Sequence, residues 1–150
     1  MSRDQLRAGL LAGLLAAAAT AGAMLGIGLR LHTPARLFNA VASHVFGAST
    51  VGIWMFDFGV TVFGVMLHVL LCAGAGIVFV VVRSRVKRPA WIVGAGVAAS
   101  GMVVSLANGH LLGTGLAVLL SFGDLLVCYT VLGASLVIGA RLAPPPHIAP

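Results

Sequence analysis

Apolar residues fill most of this chain and are grouped into four long stretches that short polar segments separate. A helix needs about 20 consecutive apolar residues to cross the hydrocarbon core of a membrane. Stretches of about that length lie at residues 6–29, 59–82, 90–112 and 116–140. We therefore predict an all-α integral membrane protein, with one helix-bundle domain of four transmembrane helices over residues 1–150 and a Pro-rich tail at 143–150.

The segment between the first two spans carries the pattern of a short amphipathic helix. Thr33 can cap a helix, Pro34 suits its first turn and Gly47 can end it. One helical face would hold Leu37, Phe38, Val41 and Val45, and the opposite face Arg36, Asn39 and Ser43. We predict a helix over about residues 34–46 that lies on the outer surface of the membrane.

The distribution of Lys and Arg between the loops predicts the orientation, because excess positive charge stays on the cytoplasmic side. Seven of these residues would lie on one side, and only Arg30 and Arg36 on the other. The seven are Arg3, Arg7, Arg83, Arg85, Lys87, Arg88 and Arg141. Both termini are therefore predicted to be cytoplasmic in a bacterial inner membrane, and the cluster Arg83, Arg85, Lys87 and Arg88 to contact lipid head groups.

Composition changes the picture by excluding two classes of protein. Of the 150 residues, 60% are hydrophobic, 8% are charged and three are acidic, which is too little polarity for the surface of a soluble domain. The net charge of +6 would suit nucleic acid. Because the basic residues stand at the ends of apolar runs, however, we expect membrane lipids and no nucleic acid as partners.

Glycine is frequent, with 20 copies, and several lie inside the predicted spans. In the first span, Gly9 and Gly13 form one small-xxx-small pair, and Gly22 and Gly26 form another. Such pairs let the backbones of two membrane helices approach closely. We expect these glycines to pack against other helices, and the sequence leaves open whether those helices belong to the same chain.

Two ionisable residues, His68 and Asp124, lie within the spans, where ionisable groups often mark function. Both are expected about 12–15 Å from the outer surface, at 1.5 Å per residue, so they can pair. One hypothesis is that they fix helix register through hydrogen bonds, and another that they form a proton or ion path. With Cys72 and Cys128 they would also form a ligand set for a soft or borderline metal, and His68 alone could hold haem or a pigment.

The motifs of familiar enzymes do not occur in the sequence, which has no GxSxG, no HExxH and no phosphate-binding loop. We therefore expect no enzymatic activity. The favoured function is an accessory or structural subunit that packs into a larger membrane protein complex or forms a homo-oligomer. The alternatives are a small oligomeric transporter or channel that uses His68 and Asp124, and a pigment- or haem-binding membrane subunit with no cofactor otherwise predicted.

Several segments resemble the YagU-like group of small bacterial inner-membrane proteins. The resemblance is carried by AGLLAG in the first span, TPARLFN after it, FGVMLHVLLCAGAGIVF in the second, WIVGAGVA in the third and SFGDLLV in the fourth. It implies a four-helix inner-membrane protein and does not imply a particular activity.

Overall fold

A computed structural model describes residues 1–86 and 88–142, and these residues are all-helical. The helices are α1 (Arg3–Arg30), α2 (Pro34–Phe46), α3 (Phe58–Arg85), α4 (Ala90–Leu112) and α5 (Phe122–Leu142). Four of them, α1, α3, α4 and α5, are long and apolar enough to cross a membrane, which confirms the predicted fold class at this level. Lys87 and the Pro-rich tail at 143–150 lie outside the described residues.

The first helix forms the centre of the bundle. It packs along α3 on one side and along α5 on the other, and α4 packs against α5. By contrast, α3 and α4 contact each other only sparsely although a short turn joins them. The end of the bundle that carries α2 is called the α2 end below, and the end with the α3–α4 turn is called the hairpin end.

Side-chain caps determine where two of the long helices begin. Ser2 accepts a hydrogen bond from the backbone of Gln5 while the Gln5 side chain accepts one from Ser2, a reciprocal cap that fixes the start of α1. Asp57 accepts a hydrogen bond from the backbone N–H of Val60 and so begins α3. Both helix starts are therefore fixed by local hydrogen bonds, independently of packing between helices.

The fourth long helix begins at Phe122, so the prediction of a span from residue 116 was wrong at this end. Gly115 has a φ of +81°, a left-handed conformation that breaks the helix, and only a short 3-10 turn, Leu116–Val118, follows it. The helix proper starts where Ser121 accepts a hydrogen bond from the backbone of Asp124 and donates one to its carboxylate. Asp124 therefore lies in the first turn of α5, rather than about eight residues into a span.

The helix α2 differs from a one-sided amphipathic helix. Asn39 and Ser43, expected on its polar outer face, are 0% and 1% exposed, whereas Val45, expected on its apolar face, is 59% exposed. The Asn39 amide donates to carbonyl groups of the following segment and accepts a hydrogen bond of 2.7 Å from Thr61. Ser43 accepts one of 2.8 Å from the backbone of Gly115. The loops thus fold over α2, and their backbone groups satisfy its polar side chains.

Candidate functional site

A cavity of about 350 Å³ lies among α1, α3, α4 and α5. Val41, His44 and Leu116 line it at the α2 end. Leu71 of α3 and Val104 of α4 also line it, although these side chains are 52% and 58% exposed. We infer that the cavity opens sideways between α3 and α4, which contact each other only sparsely. In a membrane this opening would face the acyl chains of the lipids.

A buried polar cluster forms one wall of the cavity. Nε2 of His68 lies 2.9 Å from the hydroxyl oxygen of Thr20 and 3.3 Å from the carbonyl oxygen of Ala17, so it joins α3 to α1. Cys72, one turn further along α3, lies 3.7 Å from the Thr20 hydroxyl. That His68 fixes helix register stays a hypothesis. Its hydrogen-bond partners are Thr20 and a backbone carbonyl, one of the two partner types that this hypothesis allows, and not Asp124.

The hydrogen bonds around Thr20 assign the proton on His68. The Thr20 hydroxyl donates to the carbonyl oxygen of Ala16 at 2.7 Å, so its oxygen is left to accept a hydrogen bond. The carbonyl of Ala17 can only accept as well. The two oxygens nearest to Nε2 are therefore acceptors, and the Cys72 sulfur lies further away, at 3.8 Å, so we assign the hydrogen of the neutral ring to Nε2. The other ring nitrogen, Nδ1, is then an acceptor with an available lone pair.

The Nδ1 atom can be reached from the cavity. No hydrogen bond to it is found within residues 1–86 and 88–142, since the contacts of His68 all involve Nε2. In the same part of the chain, every fully buried side-chain nitrogen or oxygen has a hydrogen-bond partner. The His68 side chain is only 8% exposed, and it lines the cavity. Nδ1 has no such partner and is therefore not fully buried, and we infer that it reaches the cavity that the ring lines.

Polar groups of α4 and α5 also line the cavity. Tyr129 of α5 and Ser105 of α4 have neighbouring hydroxyl groups. Cys72 and Cys128 line the cavity as well, and both are buried free thiols. Sequence reasoning had singled out the two cysteines but not Thr20, Ser105 or Tyr129. A threonine, a serine and a tyrosine inside otherwise apolar stretches were the signal that could have found them.

Asp124 forms its bonds with residues outside this cluster. Its carboxylate forms an ion pair with Arg30, the last residue of α1, and a second hydrogen bond with Ser121. In the described residues no hydrogen bond joins it to His68, and no group of three or more His, Cys, Asp or Glu side chains could hold a metal ion. The hypothetical metal set of His68, Cys72, Asp124 and Cys128 is therefore not assembled, because Arg30 and Ser121 draw Asp124 to the α2 end.

The two glycine pairs of α1 lie in different surroundings. A Cβ atom on Gly13 would lie 2.5 Å from Cα of Ala73, and one on Gly9 would lie 2.9 Å from Cα of Ile77. These glycines are therefore needed for the contact between α1 and α3. For Gly22 and Gly26, in contrast, nothing in the described chain lies within 4 Å of an added Cβ, and both residues are exposed.

His44 is the titratable group at the α2 end of the cavity. A Cβ on Gly115 would lie 2.3 Å from its ring, so Gly115 is required both by this contact and by its positive φ. Partial burial lowers the pKa of His44 below its ordinary value because burial penalises the charged imidazolium. The neutral ring is therefore favoured beside α2.

Comparisons with known proteins add no assignment, since no family model, no curated protein and no solved structure matches this chain. The resemblance to the YagU-like group therefore stays a prediction.

Proposed function

We propose that this chain is a non-enzymatic accessory subunit that packs into a larger membrane protein complex through the outward face of α1. The observation that carries the proposal is the exposed row of small residues Ala18, Gly22 and Gly26, spaced four residues apart on that face. Residues four apart in a helix lie above one another, so the row is a continuous shallow groove.

Membrane helices associate without a hydrophobic drive, because lipid tails are as apolar as the helices. Close backbone approach between small residues supplies van der Waals contact instead. The same helix already makes such a contact within the chain, where Gly13 lies against Ala73. The outward row offers equivalent geometry to a helix from another subunit, because no atom of the described residues lies within 4 Å of a Cβ added at Gly22 or Gly26.

The proposal includes a location and an orientation. Arg83, Arg85 and Arg88 stand at the hairpin end, and their positive charge favours the cytoplasmic side of a bacterial inner membrane. At the α2 end, the exposed ring of Trp54 has the Arg36 guanidinium 3.9 Å from its centroid. At the hairpin end, Trp91 is 66% exposed. Tryptophan at both ends suits the two interfaces of a membrane, and the positive charge at the hairpin end supports a chain with both termini in the cytoplasm.

The experiment is purification of the tagged protein from its own membrane in mild detergent, followed by native mass spectrometry. We expect a partner of different sequence in fixed stoichiometry. The double variant Gly22→Leu with Gly26→Leu should lose that partner while keeping its helical circular dichroism, because both positions are exposed and an added Cβ meets nothing within 4 Å in the described chain.

Gly96→Leu is the matched control, since Gly96 of α4 is also exposed and an added Cβ there meets nothing within 4 Å in the described chain. This control should keep the partner. Partner loss in both variants, or partner retention in both, would contradict the role of the α1 face. A pure homo-oligomer that only the Gly22 and Gly26 variant disrupts would replace the foreign subunit with a second copy.

The cavity supports a second candidate, the small oligomeric transporter or channel. The sequence predicts that such a path would use His68 and Asp124 together. Because the two residues have separate bonding partners, His68 is the one that would serve the path inside the bundle. Flux of protons or small solutes into liposomes that Asp124→Asn leaves unchanged would remove Asp124 from the path. Visible absorbance of the purified protein would instead favour the pigment- or haem-binding subunit.

A further inference from the structure

The chemistry of the cavity wall defines what the cavity can accept. The wall is mainly apolar, and its titratable side chains are His44, His68, Cys72, Cys128 and Tyr129. Among residues 1–86 and 88–142, no carboxylate and no Lys or Arg lines the cavity. A charged ligand would therefore be left without a counter-charge in a medium of low polarity, which is strongly unfavourable. The ligand must be a neutral, apolar molecule.

The lateral opening defines where such a ligand comes from. Leu71 and Val104 stand at the opening and are exposed to the surroundings of the bundle, which in a membrane are acyl chains. A molecule dissolved in the hydrocarbon region can enter there without crossing the head groups. The volume of about 350 Å³ is at the lower end of the range for small-molecule pockets.

The acceptor on His68 defines the polar part of the ligand. Thr20 and Ala17 fix the hydrogen on Nε2, and this leaves the Nδ1 lone pair available in the neutral ring. Inside a membrane an O–H group without a partner is costly, because no water is present to accept its hydrogen. A ligand O–H that donates to Nδ1 removes that cost, whereas an ether oxygen in the same place gains nothing from an acceptor.

We propose that the cavity is a binding site for a neutral, hydrocarbon-soluble molecule that donates one O–H hydrogen bond to Nδ1 of His68. An alkyl alcohol and a phenol share this chemistry. The site would be entered from the lipid between α3 and α4, and it is separate from the outward face of α1.

The two cysteines, which are the only ones in the chain, report on occupancy because both line the cavity. In detergent, the purified protein is treated with N-ethylmaleimide, a small neutral thiol reagent, and alkylation of Cys72 and Cys128 is followed by peptide mass spectrometry. We expect 4-octylphenol to slow alkylation roughly fivefold relative to 4-octylanisole, its methyl ether, since one hydrogen bond separates the two compounds. A parallel arm with 1-dodecanol distinguishes an alkyl alcohol from a phenol.

Two variants test the roles of the acceptor and the opening. His68→Phe should abolish the difference between the phenol and its ether, and Leu71→Trp should slow alkylation without any ligand by narrowing the entrance. Leu71 is half exposed, so its substitution keeps the proposal testable even if His68→Phe does not fold. The proposal is overturned if the phenol, the alcohol and the ether protect equally, if none protects, or if the thiols react only when the protein unfolds.

Discussion

In the first half of α1, Gly9 and Gly13 lie against the backbone of α3, whereas in the second half Gly22 and Gly26 face outward with no atom of the described chain near them. The two pairs have the same four-residue spacing on one continuous helix. The difference arises because Gly13 and Gly22 are nine residues apart, which at 3.6 residues per turn places the two pairs on opposite faces of α1. A small-xxx-small pair therefore predicts close packing without identifying the partner.

The largest expected effect breaks the packed half of this comparison. In Gly13→Ala, the new Cβ would lie 2.5 Å from Cα of Ala73, and backbone atoms cannot yield without moving a helix. Overpacking of this kind costs about 1–3 kcal/mol, of which the better helix propensity of Ala recovers up to about 1 kcal/mol. We expect a net loss of about 2 kcal/mol in the free energy of unfolding, measured by titration of detergent-solubilised protein with dodecyl sulfate.

Gly22→Ala is the matched control for that measurement. Its Cβ meets nothing within 4 Å in the described chain, so stability should stay the same or rise by less than about 1 kcal/mol. Equal losses at Gly13 and Gly22 would contradict the different surroundings of the two pairs.

The middle of α1 is expected to show an intermediate effect. Thr20→Val keeps the shape of the side chain but removes the oxygen that accepts the hydrogen bond from His68. Hydrogen bonds between membrane helices contribute about 0.6 kcal/mol on average, so the same titration should show a loss of about 0.5–1 kcal/mol. Thr20→Ser retains the hydroxyl and should lose less of the stability. A larger loss in Thr20→Ser than in Thr20→Val would show that packing of the methyl group, rather than the hydrogen bond, is what matters.

The last turn of α1 is held to α5 by the ion pair between Arg30 and Asp124, and its removal should have a smaller effect. The Arg30 side chain is 62% exposed, and exposed pairs contribute less than about 1 kcal/mol. Arg30→Gln is therefore expected to lower the free energy of unfolding by roughly 0.3 kcal/mol. The difference from the unsubstituted protein should shrink in high salt, because salt screens exposed charges. A difference that grows with salt would mean that the pair contributes mainly through packing.

The smallest effect concerns pH and lies outside α1, at His44. The folded state lowers the pKa of this residue, so the unfolded chain binds a proton more readily as pH falls through the ordinary histidine pKa of 6.5. The contribution of His44 is therefore fully present above that pH and is lost below it, towards the lower folded pKa. We expect the stability curves of the unsubstituted protein and His44→Gln to differ in slope between pH 7 and pH 5. Parallel curves would contradict the lowered pKa.

Much of the fold follows from the sequence because the lengths of apolar stretches are strong signals. The range 90–112 matches α4, and the first and second spans differ from α1 and α3 by only a few residues. The predicted start of α5 was wrong because the positive φ of Gly115 and the cap formed by Ser121 decide where the helix begins, and both residues lie within an apolar stretch. Only part of the site could be predicted from the sequence. His68 and the two cysteines were candidates, whereas Thr20 and Tyr129 are recognised as site residues only from their contacts in the fold.

By itself, the sequence determined that this chain folds as helices suited to a membrane, because apolar length and scarce charge leave few other solvents for such a chain. Only the tertiary structure decided which glycines are covered, that Asp124 pairs with Arg30, and that His68 lines a cavity. The physical reason is that helical periodicity depends on neighbours along the chain, while each of these contacts joins residues on different helices. Their meeting depends on how the helices pack, which local patterns do not encode.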